Sequence, residues 1–234
     1  MKNFIKDIRG IIFDCDGVII DSAADMAEAV NVTLEHFGLK RIDEQTAVSF
    51  VGNGAKKLIE RSLACSLETQ SALEPEKIDA VLDWYVSYYA EHALERTVLY
   101  PLFAYLIERL MIKGIRMAVV SNKPQNITRD ILSYFDIDEY FDAIIGPEQL
   151  KNMKPDPEGL QHALKAMNKS AGNSKHISKD ETLMVGDSAV DVQAGHNFGC
   201  RTCAVTKGLG DKEKLLAEKA DIIVGYAGEL IYSF

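Results

Sequence analysis

The 234-residue sequence contains no apolar run long enough to cross a bilayer. The apolar stretch near its start, Ile11–Phe13, is short and is followed by acidic residues, which is not the pattern of a signal peptide. Basic residues are in the minority, with 26 Lys and Arg against 35 Asp and Glu and a net charge of −9. A nucleic-acid-binding protein would need a basic face. We therefore expect a cytoplasmic protein with neither a membrane nor a nucleic acid as partner.

Cysteine is scarce as well, with four residues at positions 15, 65, 200 and 203. Their spacing does not match the disulfide framework of a secreted domain. Cys200 and Cys203 form a CxxC pair without a second pair to complete a zinc site. We interpret them as reduced, buried thiols at the start of a strand. No repeat or low-complexity tract is present.

What the sequence does contain is a regular alternation of β-rich runs and helical patterns. The helical patterns include a segment between Pro101 and Gly114 with one apolar face formed by Leu102, Tyr105, Leu106 and Leu110. This alternation predicts right-handed βαβ units, and hence an α/β fold with a parallel sheet. The β-rich runs are Ile8–Phe13, Met117–Val120, Ala143–Gly146, Thr182–Gly186, Arg201–Val205 and Ile222–Val224.

One long segment interrupts the alternation. Residues 21–96 show only helical periodicity, between the first and the second predicted strand. We predict that they form a small helical domain inserted into the α/β core. The core would then consist of residues 1–20 and 97–234.

Polar residues follow the predicted strands at the positions where ligands bind in an open parallel sheet. Asp14-Cys15-Asp16-Gly17 follows the first strand, and Ser121-Asn122-Lys123-Pro124 follows the second. Lys154-Pro155 precedes a predicted helix, and Gly186-Asp187-Ser188 follows a later strand, with Asp191 one helical turn beyond. Each segment alone could be a turn or a helix cap. Their combination predicts one site at one edge of the sheet.

Phosphoryl transfer is the chemistry that requires these residue types together. Asp14 can attack phosphorus to form an aspartyl-phosphate, and Asp16 can serve as general acid and then as general base. Gly17 permits a turn directly after them. Crowding Asp14, Asp16 and Asp187 costs repulsion unless a cation lies among them, and Mg²⁺ prefers such oxygen ligands. The predicted phosphate-binding residues are Ser121, Asn122 and Lys154.

These four segments resemble the four motifs of the haloacid dehalogenase superfamily over nearly the whole chain. The resemblance implies a Rossmann-like core with a helical cap inserted after the first motif. It implies that Asp14 is the nucleophile and Asp16 the acid/base. It also implies that the Asp14 side chain, the Asp16 carbonyl and Asp187 hold Mg²⁺, with Asp191 and Ser188 supporting them.

Within the predicted cap, residues 50–55 and 58–63 are similar to the cap of bacterial phosphoglycolate phosphatases. That similarity implies a small phosphorylated metabolite with a carboxylate, such as 2-phosphoglycolate. Gly52, Asn53 and Gly54 would bring backbone close to it, and Lys56 or Arg61 would supply positive charge. Without the resemblance, the two glycines could simply form a turn between helices. The Lys154–Pro157 segment and the chain after Thr206 depart from the pattern of that subfamily.

Other functions of the same core remain open at this point. A sugar phosphomutase, a pyrophosphatase and a phosphonate hydrolase all use related chemistry, the last with a Schiff-base lysine such as Lys56 or Lys57. A catalytically silent binding protein is an alternative of another class, because a fold does not fix a function. The presence of both Asp14 and Asp16 disfavours it.

Overall fold

The computed structural model describes residues 5–67, 74–170 and 176–234, and the chain divides into two units. Unit 1 comprises Met1–Asp21 and Leu99–Phe234, and unit 2 comprises Ser22–Val98. Unit 2 overlaps the predicted insertion at residues 21–96. Within the described part of the chain, no helix is both long and apolar enough to cross a membrane.

Unit 1 is built on a six-stranded parallel sheet, so the predicted α/β fold is confirmed. All six predicted β-rich runs contribute a strand. The sheet strands are β1 Gly10–Phe13, β4 Arg116–Val120, β5 Ile144–Ile145, β6 Thr182–Gly186, β7 Arg201–Val205 and β8 Ile222–Val224, in the order β5-β4-β1-β6-β7-β8. Two further short strands are β2 Ile20–Asp21 and β3 Val98–Leu99.

The register of the sheet brings the predicted motifs to one edge. Phe13 at the end of β1 is paired with Val119 of β4 on one side and with Val185 of β6 on the other. The residues that follow these strands therefore leave the sheet at nearly the same level. The strand order also reverses at β1, because the chain builds outward on one side of it and then on the other. Ligands bind at such a switch point, beyond the carboxyl ends of the strands.

Helices cover the sheet, and most of their apolar faces follow the predicted periodicity. One predicted face is wrong at two of its four residues, because Leu102 is 42% and Tyr105 is 67% exposed. The helix Phe103–Ile112 (α5) instead buries Phe103 and Ile107 beside the predicted Leu106 and Leu110. The helices and 3₁₀ turns of this unit are α5 Phe103–Ile112, α6 Gln125–Tyr134, α7 Glu158–Ser170, α8 Ala189–Phe198, α9 Lys212–Ala217, Asp138–Tyr140, Pro147–Gln149 and Ala227–Tyr232.

Unit 2 contains helices α1 Ala23–His36, α2 Glu44–Ser49, α3 Ala55–Ser66 and α4 Pro75–His92. Local signals set their ends. The Asp43 side chain accepts a hydrogen bond from the Thr46 N–H and so caps α2, while Pro75 begins α4. Buried residues of α1 and α4, such as Val30 and Tyr85, form the apolar interior of this unit.

A buried carboxylate ties together the two ends of unit 2. Asp25, with 1% of its side chain exposed, accepts hydrogen bonds from the backbone N–H groups of Arg96 and Thr97, each at 2.9 Å. The Thr97 hydroxyl donates a third bond at 2.9 Å, and Arg96 adds an ion pair at 3.3 Å. The start of α1 is thereby joined to residues 96 and 97.

Replacing Asp25 should therefore destabilise unit 2. We expect Asp25→Ala to lower its free energy of unfolding by about 3 kcal/mol, because two backbone donors and a hydroxyl lose their acceptor. Trp84 in α4 is the single tryptophan of the sequence, so urea unfolding followed by its fluorescence reports on this unit. Glu91→Ala, at an exposed site on α4, is the matched control. A loss no larger than that of the control would contradict the role given to Asp25.

Candidate active site

The site centres on Asp14, directly after β1. Its backbone N–H donates to the Val185 carbonyl at 2.9 Å, which continues the pairing with β6 for one residue and fixes where Asp14 lies. The side chain is buried, and its Oδ1 lies 2.8 Å from Lys154 Nζ. Apart from this ion pair, Asp14 Oδ1 has no hydrogen-bond partner among the described residues.

The loop after Asp14 is tight and has no room for a larger residue at position 17. Cys15 is fully buried, and its carbonyl accepts hydrogen bonds from the N–H groups of Ile19 and Ile20 at 2.9 and 3.2 Å. Gly17 has a φ of +79°, and a Cβ on it would lie only 1.8 Å from Asp187 Oδ2. The glycine is thus required both by the turn and by the close approach of Asp187.

Three consecutive residues after β4 reach different parts of the site. Ser121 is buried there, and its role as a phosphate-binding hydroxyl stays a prediction. Both polar atoms of the Asn122 side chain bond the backbone of Lys154, at 3.1 and 3.2 Å, so this side chain positions Lys154. Lys123 Nζ lies 2.9 Å from Asp16 Oδ1. The sequence did not single out Lys123, because its partner is 107 positions away.

One of the backbone donors at the start of α6 is already engaged. The Gln125 N–H donates to the carboxylate of Glu148, at 3.0 Å to one oxygen and 3.3 Å to the other. This N–H is therefore bound to a carboxylate of the chain itself.

Lys154 occupies the centre of a buried charge network. Its Nζ lies 2.8 Å from Asp14 Oδ1 and 2.6 Å from Asp191 Oδ1, and it donates to the Val120 carbonyl at 2.8 Å. Burial alone lowers the pKa of this ammonium, but Asp14 and Asp191 more than reverse that effect and leave the pKa raised. Lys154 is therefore charged under all physiological conditions.

Asp187 is held by a loop that sequence reasoning missed. Its Oδ2 accepts hydrogen bonds from the N–H groups of Leu209 and Gly210, at 2.6 and 2.9 Å. A Cβ at Gly208 would lie 2.4 Å from Asp187 Cβ. The Gly-Leu-Gly sequence at 208–210 was the available signal, because glycines that flank one residue often permit a close backbone approach.

Asp191 supports the site from the first turn of α8. Its Oδ1 is paired with Lys154, and its Oδ2 accepts bonds from the Ser188 hydroxyl and N–H at 2.5 and 3.1 Å. Both oxygens are thus engaged by this chain. This arrangement agrees with the supporting role that the resemblance implies for Asp191 and Ser188.

The arrangement of acids fits a divalent cation. Asp14, Asp187 and Asp191 each offer a carboxylate oxygen within 4.8 Å of the others, and all three are buried. Because Asp191 is committed to Lys154 and Ser188, Asp14 and Asp187 are the carboxylates suited to bind metal. The Asp16 carboxylate is paired with Lys123 instead, so only its carbonyl remains for the predicted metal set.

The pKa values of Asp14 and Asp187 also favour a cation at this position. Burial raises the pKa of Asp14 to about 6, and Lys154 only partly offsets this, while Asp191 and Asp16 add repulsion. Burial, together with Asp191 and Asp14, also raises the pKa of Asp187 well above its usual value, although two backbone donors oppose the rise. A cation among these oxygens would remove the cost of ionising them.

The predicted specificity residues lie in unit 2, around the turn between α2 and α3. Gly52 and Gly54 have φ values of +103° and +85°, and Asn53 lies between them. Arg61 donates to the Phe50 carbonyl at 3.3 Å and so braces this turn, and Lys56 is paired with Asp79 at 2.7 Å. The interhelical turn is thus observed, and the specificity roles remain predictions.

Cys200 and Cys203 are not among the residues of this site. Cys203 is buried in β7, as predicted, but Cys200 is only partly buried and donates to the Arg201 carbonyl at 3.3 Å. Both are free.

The site combines a buried aspartate beyond the central strand, a second aspartate two residues later, a buried lysine and an acidic pair suited to a cation. This combination defines a hydrolase of the α/β type. Comparisons with known proteins are specific. A family model described as haloacid dehalogenase-like hydrolase matches residues 11–205. The chain belongs to this family, and the resemblance of the four motifs is confirmed.

Individual relatives are similar over nearly their whole length. A phosphoglycolate phosphatase of Shigella boydii is 31% identical over 243 residues, which cover 98% of this chain and 93% of the relative. One of Vibrio parahaemolyticus is 31% identical over 227 residues, covering 97% and 96%. The crystal structure of a predicted phosphoglycolate phosphatase from Haemophilus somnus has a TM-score of 0.83 and 27% identity, and 97% of each chain is covered.

Proposed function

We propose that this chain is a magnesium-dependent phosphatase that hydrolyses a small phosphomonoester through an aspartyl-phosphate on Asp14. The observation that carries the proposal is the buried Asp14 carboxylate at the end of the central strand, whose Oδ1 has no hydrogen-bond partner among the described residues apart from the Lys154 ammonium. A carboxylate that is buried, oriented and incompletely satisfied is suited to act as a nucleophile.

The residues of the chain divide the reaction between them. Asp14 attacks phosphorus, and the bond to the leaving-group oxygen breaks as Asp16 gives that oxygen a proton. Asp16 then takes a proton from the water that attacks the aspartyl-phosphate, which releases inorganic phosphate and restores Asp14. Ser121 and Lys154 hold the transferred group, and Asn122 fixes the backbone of Lys154.

Asp14, Asp187 and the Asp16 carbonyl would hold Mg²⁺. Bound there, the ion would neutralise charge on the phosphoryl oxygens and on the two carboxylates. The Leu209 and Gly210 N–H groups hold Asp187 through its Oδ2.

For the substrate we propose 2-phosphoglycolate or a close analogue. Relatives with that activity in their names match nearly the full chain. The turn at Gly52–Gly54 has Arg61 beside it, and we propose that this arginine supplies the positive charge for a carboxylate.

A panel of phosphorylated metabolites tests both the proposed reaction and the proposed substrate. We expect release of inorganic phosphate to require Mg²⁺, to disappear with EDTA, and to be fastest with 2-phosphoglycolate. The panel includes a sugar phosphate, pyrophosphate and a phosphonate, which represent the other reactions on this core. Faster hydrolysis of one of these compounds would show that the proposed substrate is wrong. If none of the compounds in the panel is hydrolysed in a metal-dependent reaction, the proposed reaction class is refuted.

Arg61→Ala tests the specificity role in unit 2. We expect kcat/KM for 2-phosphoglycolate to fall about tenfold, because one charge-assisted hydrogen bond to the carboxylate is lost. Hydrolysis of p-nitrophenyl phosphate, which has no carboxylate, should change little. Lys57→Ala, which removes an exposed lysine from the same helix, is the control. Equal losses on both substrates would remove Arg61 from the specificity residues.

A further inference from the structure

The contact between Lys123 and Asp16 is unusual for a lysine. Lys123 has 3% of its side chain exposed and Asp16 has 12%, and their charged groups are 2.9 Å apart. Lysine is almost never fully buried unless it is paired, because its ammonium loses hydration. The four-carbon stem must also be ordered. A cost of this size at the edge of the site calls for an explanation.

The position of Lys123 supplies one. Asp16 belongs to the loop after β1 and Lys123 to the segment after β4, so their contact links two neighbouring strand ends. The same segment contains Ser121 and Asn122, and the Asn122 side chain forms hydrogen bonds with the backbone of Lys154. Ser121 thus lies at the predicted phosphate site, Asn122 holds the backbone of Lys154, and Lys123 contacts the predicted acid/base, Asp16.

A general acid must lie within hydrogen-bonding distance of the atom it serves, and small errors in placement cost much of the rate. The side chain of an aspartate after a strand can adopt more than one rotamer. Holding Asp16 Oδ1 against a fixed ammonium selects one orientation before substrate arrives. We propose that Lys123 is a positioning residue, which holds the Asp16 carboxyl group through Oδ1 so that the protonated form of Asp16 gives its proton to the leaving-group oxygen.

This inference rests on the proposed function, and the choice of leaving group tests it. An alkyl leaving group, as in 2-phosphoglycolate, requires a proton from Asp16, whereas p-nitrophenolate departs without one. We expect Lys123→Met to lower kcat/KM for the alkyl phosphate about 30-fold, which is less than the roughly 10²- to 10⁴-fold of general acid catalysis because Asp16 itself is retained. The loss for p-nitrophenyl phosphate should be less than about threefold. Lys123→Arg should recover part of the loss, and Lys113→Met at an exposed site should change neither rate.

A double-substitution cycle separates positioning from a general effect on folding. If Lys123 acts through Asp16, Lys123→Met should cause little further loss of kcat/KM in the Asp16→Asn background. Thermal unfolding of each variant confirms that the protein remains folded.

The possible failures are distinguishable. Equal losses on both substrates, or additive losses in the cycle, would show a structural role and overturn the proposal for Lys123 alone. Unchanged rates on both substrates would overturn it as well. If the unmodified protein hydrolyses neither substrate, the proposed phosphatase function fails, and this role of Lys123 fails with it.

Discussion

Asp14→Asn should abolish turnover while the protein stays folded. The amide cannot attack phosphorus as the carboxylate does, so we expect kcat to fall by about 10⁴-fold or more, as when other covalent nucleophiles are removed. Release of phosphate from p-nitrophenyl phosphate with excess Mg²⁺ measures this. Mass spectrometry of acid-quenched enzyme should show an added phosphoryl group on the unmodified protein and none on the variant. Metal-dependent hydrolysis by the Asp14→Asn variant would show that Asp14 is not the nucleophile.

The same substitution should stabilise the metal-free protein at neutral pH. The pKa of Asp14 is raised from 3.8 to about 6, so the folded carboxyl holds its proton more tightly than the unfolded one. Asp14 therefore favours folding at low pH, and that contribution is lost as the pH rises through about 6. Above that pH the ionised carboxylate costs about 3 kcal/mol relative to an unshifted group.

The stability of the unmodified, metal-free protein should then fall between about pH 4 and pH 7 more steeply than that of Asp14→Asn. Urea unfolding across this range in EDTA measures the difference. Mg²⁺ should reverse the order at neutral pH, because it favours the ionised carboxylate that the variant does not have. A variant less stable than the unmodified protein in EDTA at neutral pH would show that the attraction of Lys154 outweighs the burial of Asp14.

The residues of the site that the sequence predicted share one property. Asp14, Ser121 and Asp187 follow strands of a parallel sheet, and the positions of strand ends follow from backbone geometry alone. Recognising the strands was therefore sufficient to bring these residues together. Lys154 follows no strand in the same way, and its inclusion depended on its place before a predicted helix and on the need for a cation near the phosphate.

The residues that were missed depend on the paths of side chains and loops. Lys123 contacts Asp16 across 107 positions of sequence, and no spacing in the sequence encodes which partner its ammonium finds. Leu209 and Gly210 bind Asp187 through backbone N–H groups, which any residue provides. The glycines at 208 and 210, which permit the close approach, are the sequence signal for this contact, and the donors themselves leave none.

The error in α5 has a related cause. Phe103, Leu106 and Ile107 are buried, but Tyr105, Met111 and Ile112 on other sides of the helix are apolar too. Periodicity does not distinguish between adjacent faces when both are apolar. The left-handed backbone at Leu102, with a φ of +63°, places that residue before the helix rather than on its buried face.

The buried network around Lys154 predicts the second large effect. Lys154→Met should lower kcat by about 10³-fold, because the cation that faces the transferred phosphoryl group is lost. It should also lower the free energy of unfolding by about 3 to 5 kcal/mol, because Asp14 and Asp191 would be left buried without their shared partner. Phosphate release and urea unfolding in EDTA measure the two effects. Lys165→Met on the exposed side of α7 is the control.

A second substitution separates the two effects, because the two carboxylates have different tasks. Asp191→Asn in the Lys154→Met background removes one buried charge and keeps a side-chain oxygen for the Ser188 bonds. We expect this double variant to regain part of the lost stability and none of the lost rate. Recovery of rate together with stability would mean that Lys154 serves the fold alone. Recovery of stability alone would mean that its ammonium both balances the buried acids and holds the phosphoryl group, which is why it lies between Asp14 and Asp191.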